Sequence, residues 1–361
     1  MRLVFLGRSI TSSWGNGHAT TYRGLVRALV AAGHEVLFLE RDVPGAAANR
    51  DLPRLPWGRS ALYGSLEELR ECHGDAVASA DLVVVGSCVP DGIRVGDWVL
   101  SQACGAKAFY DLDTPVTLGA LGRGNCASLS PLQVGRYDLY LSCTAGPTLA
   151  RLERKLGARR ARPLYRAFDP EAYFPENSEP AWDLGYLGTY SACRQPALER
   201  LMLEPARREP GLRMVVAGAR YPEGIAWPGN VARIEHLSAA AHRRFYCSQR
   251  FTLNATRAER FTAGWTPSVR LFEAAACGTP VISEPWPGLE DCFQPGSEVL
   301  VSGRPEDTLQ FLRAFGPEER MRLAERARAR ALAQHTAGHR AEALLGYVRE
   351  VESGRRARAH P

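Results

Sequence analysis

Lysine is almost missing from this chain: only Lys107 and Lys155 occur, so the formal net charge of +6 is carried by arginine. The arginines are scattered, apart from Arg326, Arg328 and Arg330 and a closing group of Arg355, Arg356 and Arg358. Such runs suit a solvated helix face or a frayed end. The pattern matches a composition rich in Ala, Gly and Arg and argues against a nucleic-acid footprint. Long apolar runs are also missing. None approaches the ~18–20 residues of a membrane helix. The first apolar stretch, Leu3–Leu6, is too short for a leader segment and has no small-residue cleavage pattern behind it. A cytoplasmic protein without a transmembrane segment is therefore expected. Paired cysteines are absent as well: nine are spread singly from Cys72 to Cys292, and none stands in a C-x-x-C pair. That excludes a disulfide framework and points to reduced thiols. Cys and His do not cluster at zinc-ligand spacing.

The 361 residues, 45% hydrophobic and 23% charged, suffice for two globular cores. Leu3–Leu6 reads as a buried strand. Tyr22, Leu25, Val26, Leu29 and Val30 then lie on one face of a helix, which Gly33 ends. Val36–Leu39, Leu82–Val85, Ala106–Tyr110 and Leu139–Ser142 continue the strands. A second series follows, with strands at Asp183–Leu187, Arg213–Ala217, Arg250–Leu253, Pro280–Ile282 and Glu298–Val301. Helices in that series are expected at Leu198–Ala206, Ser268–Cys277, Asp307–Phe315 and Pro317–Ala333. This alternation predicts two α/β domains with doubly wound parallel sheets. Pro170, Pro175 and Pro180 mark 168–182 as a linker. The expected organisation is a first domain over 1–167, a second over 183–335, and a terminal helix and tail over 336–361 that can return to the first domain. Ligands of open α/β sheets bind at the carboxyl ends of the strands.

The most informative segment is Thr266-Pro-Ser-Val-Arg-Leu-Phe-Glu-Ala-Ala-Ala-Cys-Gly-Thr-Pro-Val-Ile-Ser283. Thr266 is a suitable N-cap, Pro267 a suitable first helical residue and Gly278 a suitable terminator. The free N–H groups at the start of such a helix favour a phosphate. Arg270 and Glu273 fall on one side of it. A carboxylate at Glu273 can accept the two hydroxyls of a ribose, and Arg270 can hold that carboxylate or reach a phosphate. The plain alternative is a surface ion pair on an amphipathic helix.

The segment resembles the nucleotide-sugar-binding motif of group 1 (GT4-like) glycosyltransferases of the GT-B fold, and is most similar to their CgeB-like branch. The residues that carry this are Asn254-Ala-Thr-Arg257, Pro267 through Pro280, and Pro287-Gly-Leu-Glu290. Leu187-Gly-Thr-Tyr-Ser-Ala-Cys-Arg194, Phe168-Asp-Pro170, Phe174-Pro175 and Tyr110-Asp-Leu-Asp-Thr-Pro115 extend the resemblance over most of the chain. It implies two Rossmann-like domains facing each other across a cleft, with the donor on the second. Many retaining members carry two Glu residues seven positions apart. Here the position before Glu273 in that spacing is Trp265, so the resemblance does not decide between retention and inversion.

Other candidates surround this motif in sequence. Gly188 and Thr189 open the first β-α loop of the second series, where backbone N–H groups can cradle a diphosphate and Arg194 can neutralise it. Asn254, Arg257 and Ser268 belong to the same proposed pocket. In the first domain, Gly15, Asn16 and Gly17 form a loop suited to an acceptor or a phosphate. A dinucleotide reading of this loop, with Glu40 as the ribose acid, is disfavoured: Thr20 replaces the third glycine and the loop begins too far from its strand. His18 can act as a base on an acceptor hydroxyl, oriented by Asp113, with Asp111 as the rival partner. This arrangement is similar to that of inverting GT-B enzymes. The alternative is a structural His and an Asp in a turn before Pro115. Asp111-Leu-Asp113 matches D-x-D by letter but falls on the acceptor side, so it is not read as a metal site. His236 and His242 are read as structural.

The expected function is transfer of a sugar from a UDP-, dTDP- or GDP-linked donor to an acceptor hydroxyl or amine. No metal or other cofactor is expected, arginines and helix N–H groups stabilising the departing diphosphate. Two other readings are a nucleotide-sugar epimerase or hydrolase of the same fold, and a catalytically silent coat or assembly protein.

Overall fold

The structure, a computed structural model, describes residues 1–15, 17–255 and 263–359. It separates into two compact units: Met1–Arg166 together with Ala337–Pro361, and Ala167–Thr336. The proline-bearing stretch 168–182 belongs to the second unit.

The first unit is built on seven strands: β1 (Arg2–Gly7), β2 (Glu35–Arg41), β3 (Arg59–Tyr63), β4 (Leu82–Gly86), β5 (Ala106–Asp111), β6 (Leu139–Ser142) and β7 (Ala161–Pro163). Their order is β3-β2-β1-β4-β5-β6-β7, and every pairing is parallel. Strand β1 shows why the sheet is covered on both sides. Leu3 and Phe5 enter one apolar core, and Val4 and Leu6 enter the other. Side chains alternate across a strand, so a continuous apolar run means two buried faces. The helix His18–Ala31 lies on the Leu3–Phe5 side, its core positions Tyr22, Leu25, Val26 and Leu29 as the periodicity requires. It ends as expected at Gly33, whose φ is +82°. The Gly33 N–H bonds the Val30 carbonyl and the His34 N–H the Leu29 carbonyl, a complete Schellman stop. The last helix, Ala337–Ala359, packs on the same face through Leu344, Leu345 and Val348, and so is part of the first unit.

The second unit carries six strands: β8 (Trp182–Leu187), β9 (Met214–Ala217), β10 (Val231–Ile234), β11 (Gln249–Asn254), β12 (Val281–Ser283) and β13 (Leu300–Val301). The order β10-β9-β8-β11-β12-β13 is again parallel throughout. In both sheets the strand order reverses beside the first strand, which is the switch point of a doubly wound fold. The helix expected at Leu198–Ala206 is longer and interrupted: a π-helical turn, Glu199–Leu203, precedes Pro205. Proline lacks an N–H and its ring clashes with the carbonyl four residues back, and a wider turn relieves both.

Candidate functional site

In the first unit the candidate residues gather at the carboxyl ends of the strands. The loop after β1 ends at Gly15, with φ +56°, and at Gly17, the N-cap of helix His18–Ala31. Asn16 lies outside the described residues. His18 Nε2 is 3.1 Å from Asp113 Oδ2. The other Asp113 oxygen accepts from Arg166 at 2.9 Å, and the same guanidinium nitrogen also reaches the Leu112 carbonyl at 2.5 Å. Arg166 was not legible as a partner, because it stands 53 residues from Asp113 and only the fold joins them. His18 is 5% exposed. Burial lowers its pKa, Asp113 opposes that, and Arg166 and Arg8 reinforce it. The ring is therefore neutral near pH 7, with Nε2–H donating to the Asp113 carboxylate and Nδ1 the basic nitrogen.

Asp111 is not a second partner of His18. It is fully buried, and its two oxygens accept the Tyr140 hydroxyl at 2.6 Å and the Thr117 hydroxyl at 2.8 Å. Burial raises its pKa to about 6 against those two bonds. With Asp111 turned inward, Asp111-Leu-Asp113 is not an open pair of ligands, and no group of three potential metal ligands occurs among the described residues. Glu40 has likewise no oxygen to offer a ribose. It accepts the Ser9 and Thr11 hydroxyls and the Ile10 and Thr11 N–H groups, so it anchors the loop after β1.

In the second unit the pivot is Arg270. Its Nε donates to the Leu187 carbonyl, and Nη1 donates to Asn254 Oδ1 and Ser268 Oγ, both at 3.2 Å. The guanidinium lies 4.8 Å from the centre of the Tyr186 ring and is 7% exposed. No carboxylate pairs with it among the described residues. Asn254 is fully buried, donates to Ser283 Oγ at 2.9 Å and fixes Arg270 with its oxygen. Gly188 crowds the same spot, since a Cβ there would stand 2.8 Å from Arg270 Nη2 and 2.7 Å from the Tyr186 hydroxyl. Thr189 offers its carbonyl to Arg194 at 2.5 Å, so Arg194 folds back over the loop. Arg257 lies outside the described residues.

The helix starts two residues later than a Thr266 N-cap implies, and one later than the expected Ser268–Cys277 span. It spans Val269–Ala276 with Ser268 at the N-cap, and the Thr266 hydroxyl donates instead to the Gly264 carbonyl at 2.7 Å. The backbone ahead of it is the cause. Gly264 and Trp265 both have positive φ, +63° and +41°, and the Trp265 N–H is tied to the Pro287 carbonyl at 2.6 Å. The Trp265 indole N–H donates to Asp291 at 2.7 Å, and its ring lies against Gly288. Arg270 and Glu273 do not pair. Glu273, 2% exposed, accepts the Tyr246 hydroxyl at 3.0 Å on one oxygen; the other, also buried, has no hydrogen bond within 3.5 Å among the described residues, and the buried Tyr173 hydroxyl, its pKa raised by burial and by this carboxylate, faces it.

Solved structures share this architecture. Sucrose-phosphate synthase from Thermosynechococcus elongatus superposes with a TM-score of 0.69 at 15% identity, over 98% of this chain and 99% of its own. HepE of Anabaena, in complex with UDP and glucose, gives 0.70 at 12% identity, over 97% and 100%. The chain has the GT-B fold. Residues 194–346 match a family model described as glycosyl transferase-like. The D-inositol 3-phosphate glycosyltransferase of Mycobacterium tuberculosis is 32% identical over 180 residues, 46% of this chain. The chain spans 37% of the length of that relative. An alpha-glucosyltransferase in complex with UDP also shares the GT-B fold, with a TM-score of 0.68 at 11% identity over 96% of this chain and 98% of its own.

Proposed function

We propose that this protein is a glycosyltransferase of the group 1 type, in its CgeB-like branch, which transfers a sugar from a nucleotide diphosphate sugar to an acceptor hydroxyl or amine. The observation that carries this is Arg270. A buried guanidinium without a carboxylate is costly, and a negatively charged ligand offsets that cost. It sits at the carboxyl ends of β8 and β11, as the second residue of a helix whose N-cap, Ser268, makes no side-chain capping bond. That is where an open α/β sheet receives a phosphate. The second oxygen of Glu273 then takes ribose hydroxyls, and Arg194 and the Thr189 N–H complete the diphosphate site, the Gly188 N–H being held already by the Ala217 carbonyl at 2.8 Å. Arg270, Arg194 and Arg257 meet the charge of the leaving diphosphate without a metal.

The first unit receives the acceptor. His18, held as the neutral Nε2–H tautomer by Asp113 and Arg166, is the candidate base for the acceptor hydroxyl. The protein works in the cytoplasm; no helix among the described residues is long and apolar enough to cross a membrane. UDP is the nucleotide to test first, since HepE and the alpha-glucosyltransferase are bound to UDP. The test is a melting-temperature screen of UDP-, dTDP- and GDP-sugars, followed by product analysis with candidate acceptors. A donor-specific rise and a glycosylated product are expected. Free sugar or an epimer without a glycosylated product overturns transfer, and no shift with any nucleotide leaves the silent assembly protein.

A further inference from the structure

The strand order of the first sheet reverses between β1 and β4, and ligands of such sheets sit beyond the carboxyl ends of the strands at that point. Arg8 directly follows β1, is exposed, and makes no ion pair among the described residues. Its charge is felt on both sides of the reversal. Burial lowers the His18 pKa and Arg8 adds to that; burial and Asp113 raise the Cys88 pKa and Arg8 opposes them. Cys88 lies just past β4, exposed, with φ +68°, a conformation that residues with a side chain rarely adopt.

Arg166 is a second, independent observation. It is 9% exposed. Among the described residues only its Nη2 is engaged, by the Leu112 carbonyl and by Asp113. Its Nε is buried without a hydrogen-bond partner. Its Nη1 lies beside Gly17: a Cβ on that glycine would stand 3.8 Å from it and meet no other described atom within 4 Å. Gly17 is the N-cap of helix His18–Ala31 and makes no side-chain capping bond. The N–H groups at that helix start and the unused edge of a buried guanidinium therefore border the same open space.

The charges here do not cancel. Asp113 answers for Arg166, Asp111 is turned inward onto Tyr140 and Thr117, and Arg8 is left over. Two guanidiniums and a helix start thus stand around His18. A planar carboxylate meets one guanidinium edge-on, whereas the oxygens of a tetrahedral phosphate can serve all three donors at once. We propose that the acceptor taken by the first unit is a small phosphate monoester, its phosphate held by Arg8, Arg166 Nη1 and the start of helix His18–Ala31. The phosphate is bound and not transferred. His18 is the first residue of that helix, so the phosphate and the hydroxyl that His18 serves belong to one compact molecule. That this ligand is the acceptor rests on the transferase reading above; the phosphate site itself does not.

The test uses Cys88 as a local reporter. The full chain is labelled with N-ethylmaleimide at fixed pH and each cysteine is followed by peptide mass mapping, with Cys72 and Cys104, both exposed, as references. Glucose 6-phosphate and glycerol 3-phosphate are expected to slow labelling of Cys88 saturably and to leave the references unchanged. Glucose and glycerol are expected to have no effect. Arg8→Gln, a change at an exposed position, is expected to raise the concentration for half protection by about tenfold, the size of one hydrogen bond to a charged group. Arg8→Lys, which keeps the charge and loses the fork, is expected to fall between. Equal protection by the phosphate esters and the free sugar and glycerol, or an unchanged half-protection concentration in Arg8→Gln, overturns the site. UDP is expected to leave Cys88 unprotected. Protection by UDP as strong as by the monoesters assigns these arginines to the donor diphosphate and overturns the proposal. If no nucleotide binds but the monoesters still protect Cys88 through Arg8, the phosphate site stands and the transferase reading falls.

Discussion

His18 Nε2 lies 3.1 Å from Asp113 Oδ2 across 95 residues of sequence, with Arg166 on the far side of the same carboxylate. The carboxylate fixes which imidazole nitrogen carries the proton, and so which one is basic. His18→Ala is expected to lower kcat by about 100-fold or more, in the range of a general base, while leaving UDP affinity unchanged. Asp113→Asn presents an amide that can stabilise the wrong tautomer, and a loss of similar size is expected. Calorimetry with UDP beside steady-state kinetics checks both. Unchanged kcat in His18→Ala removes the base role.

Asp111 and His18 give the first unit opposite pH dependences. The Asp111 pKa, raised by burial to about 6, exceeds that of an unfolded carboxyl. The native state therefore binds the extra proton, and this contribution to stability is present at low pH and lost as pH rises from about 4 to 6. His18 has its pKa lowered, so the unfolded state binds the extra proton, and its contribution is lost as pH falls below about 6.5. Asp111→Asn removes only the first. The difference in melting temperature between wild type and Asp111→Asn is expected to move against wild type between about pH 4 and 6. A constant difference across that window contradicts the raised pKa.

Much of the fold is legible because burial is written as apolar runs. Strands β1, β2, β4, β5 and β6 are found within a residue or two, since each is apolar on both faces. Strands β3, β7 and β10 escape notice. They are sheet edges, and Arg59-Ser-Ala-Leu-Tyr63 buries only Tyr63. The candidate sites are legible one residue at a time and not as contacts. Asn254, Arg270 and Ser268 were grouped by sequence proximity, and the fold joins them by hydrogen bonds. Arg166 and Tyr246 carry no local signal, because their partners lie 53 and 27 residues away. The late helix start at Val269 depends on the positive φ of Trp265, which a bulky residue rarely adopts and no pattern announces.

Glu273 has one oxygen on Tyr246 and a second without a hydrogen bond among the described residues. Glu273→Ala is expected to weaken UDP by about 2–3 kcal/mol through lost ribose bonds, the size of hydrogen bonds to a charged group. Tyr246→Phe keeps the carboxylate but frees its orientation, so a smaller loss is expected. Titration calorimetry with UDP and with uracil separates the effects. Uracil has no ribose, so any binding it shows is expected to be the same in wild type and both variants.

Gly218 supports the Gly188 loop from below. Its φ is +152°, and a Cβ would stand 2.0 Å from the Gly188 carbonyl oxygen. Gly218→Ala has to move backbone, so a loss of about 2–4 kcal/mol in unfolding free energy is expected, with weaker UDP binding in the surviving native protein. Denaturant titration measures the first effect and calorimetry the second.

Arg270 carries the functional reading, and its replacement separates charge from shape. Arg270→Met keeps the buried stem and removes the cation. UDP affinity is expected to fall by about 2–5 kcal/mol, the cost of deleting one partner of a buried charge pair. Arg270→Lys keeps the charge but cannot donate at once to the Leu187 carbonyl, Asn254 and Ser268, because an ammonium lacks the planar fork. An intermediate affinity is therefore expected. The nucleotide-free protein responds differently. Met places no unpaired charge in the interior, so Arg270→Met is expected to lose far less stability than affinity. If both fall together, Arg270 is holding the loops and not the phosphate, and the donor site has to be sought elsewhere in the unit.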